Sequence, residues 1–320
     1  MRAPIENISC LQTQLNDLQL ENQILKNILD NAGISYSKEL LRLHSTEEFC
    51  DYDPDQGARI QAPVEITEKM AVMFCSRFWG RQDVYAKRNE KKTGEVNYFT
   101  QCHNFWQEGC PKKRKEKINC RDCRYQSYKQ LAKYDILAHL RGKSYNASDV
   151  IGVYPLLTDG TCRFLVYDFD NHEKGAEKKD FANEDDIWIE EVEAMRKICV
   201  LNGMVPLVER SRSGRGAHIW IFFDKPISAA LVRKFGTALL DKGAEQINLK
   251  SFKYYDRMLP AQDVLSEGGL GNLIALPLQG KALKDGNSAF IDSNWNAYPN
   301  QWNLFLPGER LTFSVERVWW

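Results

Sequence analysis

The residues of this chain best suited to chemistry lie in RFLVYDFDNH, 163–172, where an apolar run ends in Asp168 and Asp170 with Phe169 between them. Successive side chains on a strand face opposite ways, so the spacing predicts both carboxylates on one face. Two like charges side by side are destabilising unless something positive lies between them. Divalent cations could be that positive charge, and oxygen ligands select Mg2+ or Mn2+ over softer metals.

Two later stretches could complete such a site. In ERSRSGRGAHIW, 209–220, Gly214 and Gly216 permit a tight turn and a close approach to a ligand. Arg212, Ser213 and Arg215 supply donors, and His218 starts the following strand, a set suited to a polyphosphate. An ordinary glycine-rich hairpin with a surface histidine is the plainer alternative. In SFKYYDRMLPAQDVLSEGGLGNLIALPLQGK, 251–281, two more acids, Asp256 and Asp263, precede a glycine turn at Gly268, Gly269 and Gly271. A third carboxylate near the pair would complete a cage for two cations. Held ~3.5–4 Å apart, such ions activate a hydroxyl and stabilise the leaving oxygen of phosphoryl transfer.

A second constellation is CHNFWQEGCPKKRKEKINCRDC, 102–123. Cys102, Cys110, Cys120 and Cys123 could supply four thiolates to a closed tetrahedral zinc site, structural because it leaves no open position. His103 could replace one of them. Cys10, Cys50, Cys75, Cys162 and Cys199 are scattered and read as reduced thiols. Lys112, Lys113, Arg114, Lys115, Lys117, Arg121 and Arg124, with Phe105, Trp106 and Tyr125, make a basic, aromatic patch. Such a patch suits phosphates and bases, although a charge run is often only solvated surface.

The elements that must hold these residues are legible in the apolar pattern. The 320 residues carry 43 basic and 43 acidic side chains, so attraction to a polyanion must come from a local patch. Strands are expected at 163–170, 205–211, 217–224 and 272–280. Helical spacing between the first two joins Ile187, Ile189, Val192, Met195 and Ile198 and stops at Gly203. A second helical stretch, SAALVRKFGTALLDKGA, follows the third strand. The strand–helix–strand–strand–helix–strand order suits an α+β sheet with helices on one face, ferredoxin-like or RNA-recognition-motif-like.

Upstream, Ile8, Leu15, Asn22 and Leu29 alternate with Leu11, Leu18, Leu25 and Ala32 in a heptad pattern. That predicts a coiled-coil helix over 1–32 and a homodimer through 8–32; a helix packed on its own domain is the alternative. Residues 33–65 read as a polar linker, and 66–320 as one domain with the cysteine motif inserted. The first residues lack a signal-peptide core, and no apolar run approaches the ~18 residues of a membrane span. A cytoplasmic protein without a membrane partner is expected.

Taken together, VYDFD, SGRGAHIW and an acid before GNLIALPLQG resemble the three motifs of the archaeo-eukaryotic primase superfamily. FWGRQDVYAKR (78–88), the four cysteines and IGVYPLL (151–157) extend the resemblance to the primase–polymerases of TOTE conflict systems and CRISPR-associated operons. It spans roughly 66–305. The resemblance implies a primase fold with an RNA-recognition-motif-like catalytic sheet, and a DNA primase–polymerase that starts and extends primers on a single-stranded DNA or RNA template. It implies two catalytic Mg2+ or Mn2+ ions on Asp168, Asp170 and a third acid, Asp263 in first place and Asp256 in second. His218 and Ser213 would contact the incoming nucleoside triphosphate. Gly214 and Gly216 shape that loop, while Arg215 and Lys281 are further contacts argued from chemistry. Relatives often continue into a helicase or another enzyme module, and a helicase or CRISPR-associated module is an expected partner.

Two rivals stand beside this reading. A non-catalytic single-stranded nucleic-acid-binding module with zinc has no need for Asp168 and Asp170 against a polyanion. A metal-dependent nuclease also uses clustered carboxylates, but the Ser-Gly-Arg-Gly-Ala-His loop suits a triphosphate better.

Overall fold

A computed structural model describes residues 65–144, 146–170, 187–248, 250–305 and 312–313. The expected coiled coil and all but the last residue of the linker lie outside the described residues. The described chain opens with α1 (Glu68–Arg77), whose Thr67 side chain accepts from the Met70 amide and so caps it. A hairpin, β1 (Ala86–Glu90) and β2 (Val96–Thr100), leads through the cysteine region to α2 (Lys133–Arg141) and β3 (Ile151–Val153). Then come β4 (Thr161–Asp170), α3 (Ile187–Leu201), β5 (Leu207–Arg210), β6 (Gly216–Ser228), α4 (Ala229–Gln246) and β7 (Tyr255–Leu259). The short elements β8 (Ile274–Ala275), α5 (Gly280–Leu283), β9 (Ala289–Phe290) and β10 (Thr312–Phe313) complete it.

These strands form two sheets. The larger runs β7-β4-β6-β5-β9, with β10 pairing in parallel with β6; the smaller runs β2-β1-β3-β8. Within the larger sheet, β4-α3-β5-β6-α4-β7 is the expected strand–helix–strand–strand–helix–strand unit, antiparallel throughout. One boundary differs from the sequence reading. The fourth strand is β7, built from YDRML, and only two residues of the apolar 272–280 run are strand, paired with β3 of the smaller sheet.

A second difference concerns the faces of the larger sheet. Leu165, Tyr167 and Phe169 of β4 bury against Val192 and Met195 of α3 and Phe235 and Leu239 of α4. The opposite face is buried as well. Phe164, Val166, Trp220 and Phe222 pack with Phe74 of α1, Phe78 just after it, Ile136 of α2 and Ile151 of β3. Helices on one face alone was therefore the wrong expectation: a strand apolar on both faces needs a cover on each. The smaller sheet and its helices are that cover. His139 fastens it, fully buried, with Nδ1 accepting from the Ile151 amide (3.2 Å) and Nε2 donating to the Pro277 carbonyl (2.9 Å).

Candidate active site

The covered face of the larger sheet changes character between adjacent rows of side chains. One row, Leu259–Val166–Trp220–Leu207, is core. The next row, Arg257–Asp168–His218–Glu209, is charged, with signs alternating across four strands. Asp170 is two residues further along β4 and shares the face of Asp168 by strand alternation. The positive charge that the acid pair requires is thus partly the protein's own.

Distances confirm the row as a connected system. Nε and Nη2 of Arg257 both stand 3.2 Å from Asp168 Oδ2, and His218 Nε2 stands 3.4 Å from Asp168 Oδ1. On its other side His218 Nδ1 meets Glu209 Oε2 at 2.9 Å. Burial works to raise the Asp168 pKa, but His218 and Arg257 outweigh it and hold the carboxyl below its ordinary range. Burial likewise works to lower His218, yet Glu209 and Asp168 push it from 6.5 up to about 10. The imidazole is therefore a cation at neutral pH.

That charge has a consequence for stability. A raised folded-state pKa stabilises the native protein fully below the unfolded value of 6.5, and the contribution is lost as pH rises through about 10. The gap in denaturation midpoint between wild type and a His218→Gln variant is expected to close over that interval. Urea titrations at pH 6.5, 8 and 10 check this; a gap independent of pH contradicts it.

The glycine loop sits at the end of this row. Gly214 has φ +76, and a Cβ there would stand 2.8 Å from Asn287 Oδ1. At Gly216 a Cβ would meet the Phe169 carbonyl oxygen at 2.3 Å, so glycine is needed for β6 to pair with the end of β4. Ser213 is exposed, its hydroxyl 3.0 Å from Ser211 Oγ and accepting from the Arg215 amide at 3.3 Å. Arg215 is exposed too. Lys281, on α5, acts electrostatically on Glu90, whose carboxyl is held low chiefly by its hydrogen bond to Arg88 and also by Arg212. Arg88 Nη1 and Arg212 Nη2 lie 2.6 and 3.6 Å from Glu90 Oε2, which brings β1 of the smaller sheet against the loop.

The two candidate third acids lie in different places. Asp263 pairs with Arg233 of α4, and its backbone carbonyl neighbours Gly160, just before β4 begins. Asp168 lies eight residues further along, more than about 20 Å away at strand rise. Asp263 is therefore not brought to the acid pair. Asp256 is: its Oδ2 stands 3.4 Å from Arg257 Nε, the atom that also bonds Asp168. It occupies the irregularity where Asp168 pairs with Arg257 but Phe169 pairs with Tyr255. The donors suit hard divalent cations, since Asp168, Asp170 and Asp256 offer only carboxylate oxygens. As the side chains stand, Arg257 lies between two of them. Among the described residues no group of three or more His, Cys, Asp or Glu is arranged to hold a metal ion.

The same holds for the cysteines, although Cys102, Cys110, Cys120 and Cys123 all line one cavity of about 20 Å³. Burial works to raise the Cys110 thiol, but backbone hydrogen bonds with Trp106, Lys113 and Lys112 hold it lowered, which favours a thiolate. His103 is exposed and does not line this cavity. Around it, Lys112 lies 5.1 Å from the Phe99 ring and Arg124 4.7 Å from the Tyr125 ring, and Trp106 and Tyr125 are exposed.

Two members of the row, Arg257 and Glu209, escape a reading of motifs, because each gains its meaning from the residue it faces across an antiparallel strand pair. The usable signal was a charged residue at an inward position of an otherwise apolar strand, as in VPLVERS.

The family model described as the archaeo-eukaryotic primase domain of TOTE conflict systems matches residues 68–313. No curated protein matches the chain. Among solved structures, the polymerase domain of Mycobacterium tuberculosis ligase D in complex with DNA is similar, at 12% identity and a TM-score of 0.40, covering 77% of this chain and 83% of that one. No helix among the described residues is long and apolar enough to cross a membrane.

Proposed function

The chain belongs to the archaeo-eukaryotic primase family of TOTE conflict systems, and from that premise we propose that it is a primase–polymerase transferring nucleotides from nucleoside triphosphates along a single-stranded template. The observation that carries this reading is the Arg257–Asp168–His218 row, with Asp256 on the same arginine, beside a glycine loop rich in donors. A nuclease needs the acids but not a cationic histidine beside an Arg-Ser-Gly-Arg-Gly loop, and a binding module needs neither.

In this reading Asp168, Asp170 and Asp256 hold two Mg2+ or Mn2+ ions, and half-exposed Arg257 gives up its place between the carboxylates. Cations held by these carboxylates would supply a lowered pKa for the attacking 3′-hydroxyl and charge to neutralise the departing pyrophosphate. His218 presents positive charge to the triphosphate beside Asp168, and Ser213, Arg215 and Lys281 add donors at its far end. The two covers of the sheet keep the carboxylate row partly out of water, which strengthens its electrostatics. The test is templated product formation from labelled nucleotides with Mg2+ or Mn2+; strand cleavage or binding without turnover would replace the proposal.

A structural zinc on Cys102, Cys110, Cys120 and Cys123 is part of the proposal, supported by their sharing one small cavity. The surrounding cations and rings would hold the template strand or the first nucleotide, which no primer duplex holds during initiation. A Cys120→Ser, Cys123→Ser variant is expected to lose initiation at least about tenfold more than extension of a supplied primer, one base-stacking contact being worth about that much. Equal losses in a folded variant would remove the specific role.

A further inference from the structure

Glu209 is the most costly group on the sheet that the chemistry above does not use. It is 2% exposed, inside a core of aromatic and aliphatic side chains. A carboxylate is retained in such a place only when its oxygens are fully engaged. Here they are: Oε2 accepts from Trp220 Nε1 at 3.0 Å and meets His218 Nδ1 at 2.9 Å, while Oε1 accepts from Ser288 Oγ at 3.2 Å. Ser288 Oγ in turn accepts from the Gln279 amide at 3.3 Å, and Gln279 caps α5 through the Ala282 amide. The tie therefore runs from β5 to the helix that carries Lys281.

We infer that Glu209 is a positioning residue for nucleotidyl transfer: it fixes the His218 ring so that Nε2 faces Asp168 and the nucleotide site. The inference rests on the reading under Proposed function. An imidazole has two edges, and the partner of one nitrogen decides where the other points. With Nδ1 held by a carboxylate that Trp220 and Ser288 themselves hold, the ring has a single orientation. Trp220 contributes twice, since its ring also packs in the core row beneath His218. Glu209 touches neither the acid pair nor the space in front of it, so its effect passes through His218.

Glu209→Gln keeps the shape and can still bond Trp220 and Ser288, so the variant is expected to fold, with a urea midpoint below that of wild type near neutral pH because His218 loses one of its two anionic partners. In single-nucleotide extension of a supplied primer, its KM for nucleotide should rise up to about tenfold with a smaller change in kcat, the scale on which a neutral acceptor weakens a charge-assisted hydrogen bond. In a His218→Gln background the same substitution should add less than about twofold, because coupled residues are non-additive. Wild-type kinetics for Glu209→Gln, or an equal penalty in both backgrounds, overturns the inference. An imidazole nitrogen–proton NMR spectrum decides it independently of turnover. The His218 Nδ1 proton should exchange at least about tenfold more slowly in wild type than in Glu209→Gln. If it exchanges as fast as that of exposed His103, the inference fails whether or not the protein polymerises. Slow exchange in a protein that makes no product would instead fault the proposed function.

Discussion

Replacing Asp168 with asparagine is expected to lower templated nucleotide incorporation by about a thousandfold or more while leaving a folded protein. Asparagine keeps the volume and one acceptor, but it removes the charge that two cations would share. Losing one such ligand withdraws several kcal/mol of transition-state stabilisation, at 1.36 kcal/mol per tenfold in rate. Fold should survive because both cationic neighbours have other partners. His218 keeps Glu209 at 2.9 Å, and Arg257, 46% exposed, keeps Asp256 and solvent. Single-turnover extension with Mg2+ and with Mn2+, beside a urea titration, separates lost chemistry from lost structure. An Asp168→Asn protein that still extends primers at the wild-type rate would falsify the metal-ligand role.

The parts of this architecture that rest on local apolar period were legible in the sequence. The run at 163–170, the two helices and the third strand all appear within a few residues of their expected bounds, because each buries a continuous face. The smaller sheet was not legible. Its strands are two to five residues long, too short for a period, and they are strands only because they pair with one another. The fourth strand was misplaced for a related reason. NLIALPLQG is the more apolar text, but Leu278 has φ +60 and Pro277 cannot donate to a ladder, so most of it turns beneath the sheet. YDRML is polar on one side because it is an edge strand whose inward residue, Arg257, serves the site. The acid pair was visible because its two members lie on one strand. Glu209 and Arg257 were not, since antiparallel pairing joins them to residues 9 and 89 positions away.

The third acid is where this difference has its largest experimental consequence. The resemblance puts Asp263 first, whereas the edge-strand assignment places Asp256 beside Arg257, the residue that stands across from Asp168. Asp256→Asn is expected to cost about a hundredfold to a thousandfold in kcat/KM for nucleotide incorporation, somewhat less than Asp168→Asn because Asp256 is the more exposed acid. Asp263→Asn should stay within about twofold of wild type, since its partner Arg233 is on the helix layer at the other end of β4. That pair is partly exposed, so its loss should shift stability by only about 1 kcal/mol. Measuring both variants in one assay decides between the assignments: an inactive Asp263→Asn protein with an active Asp256→Asn counterpart would mean that β7 is not the strand that completes the site.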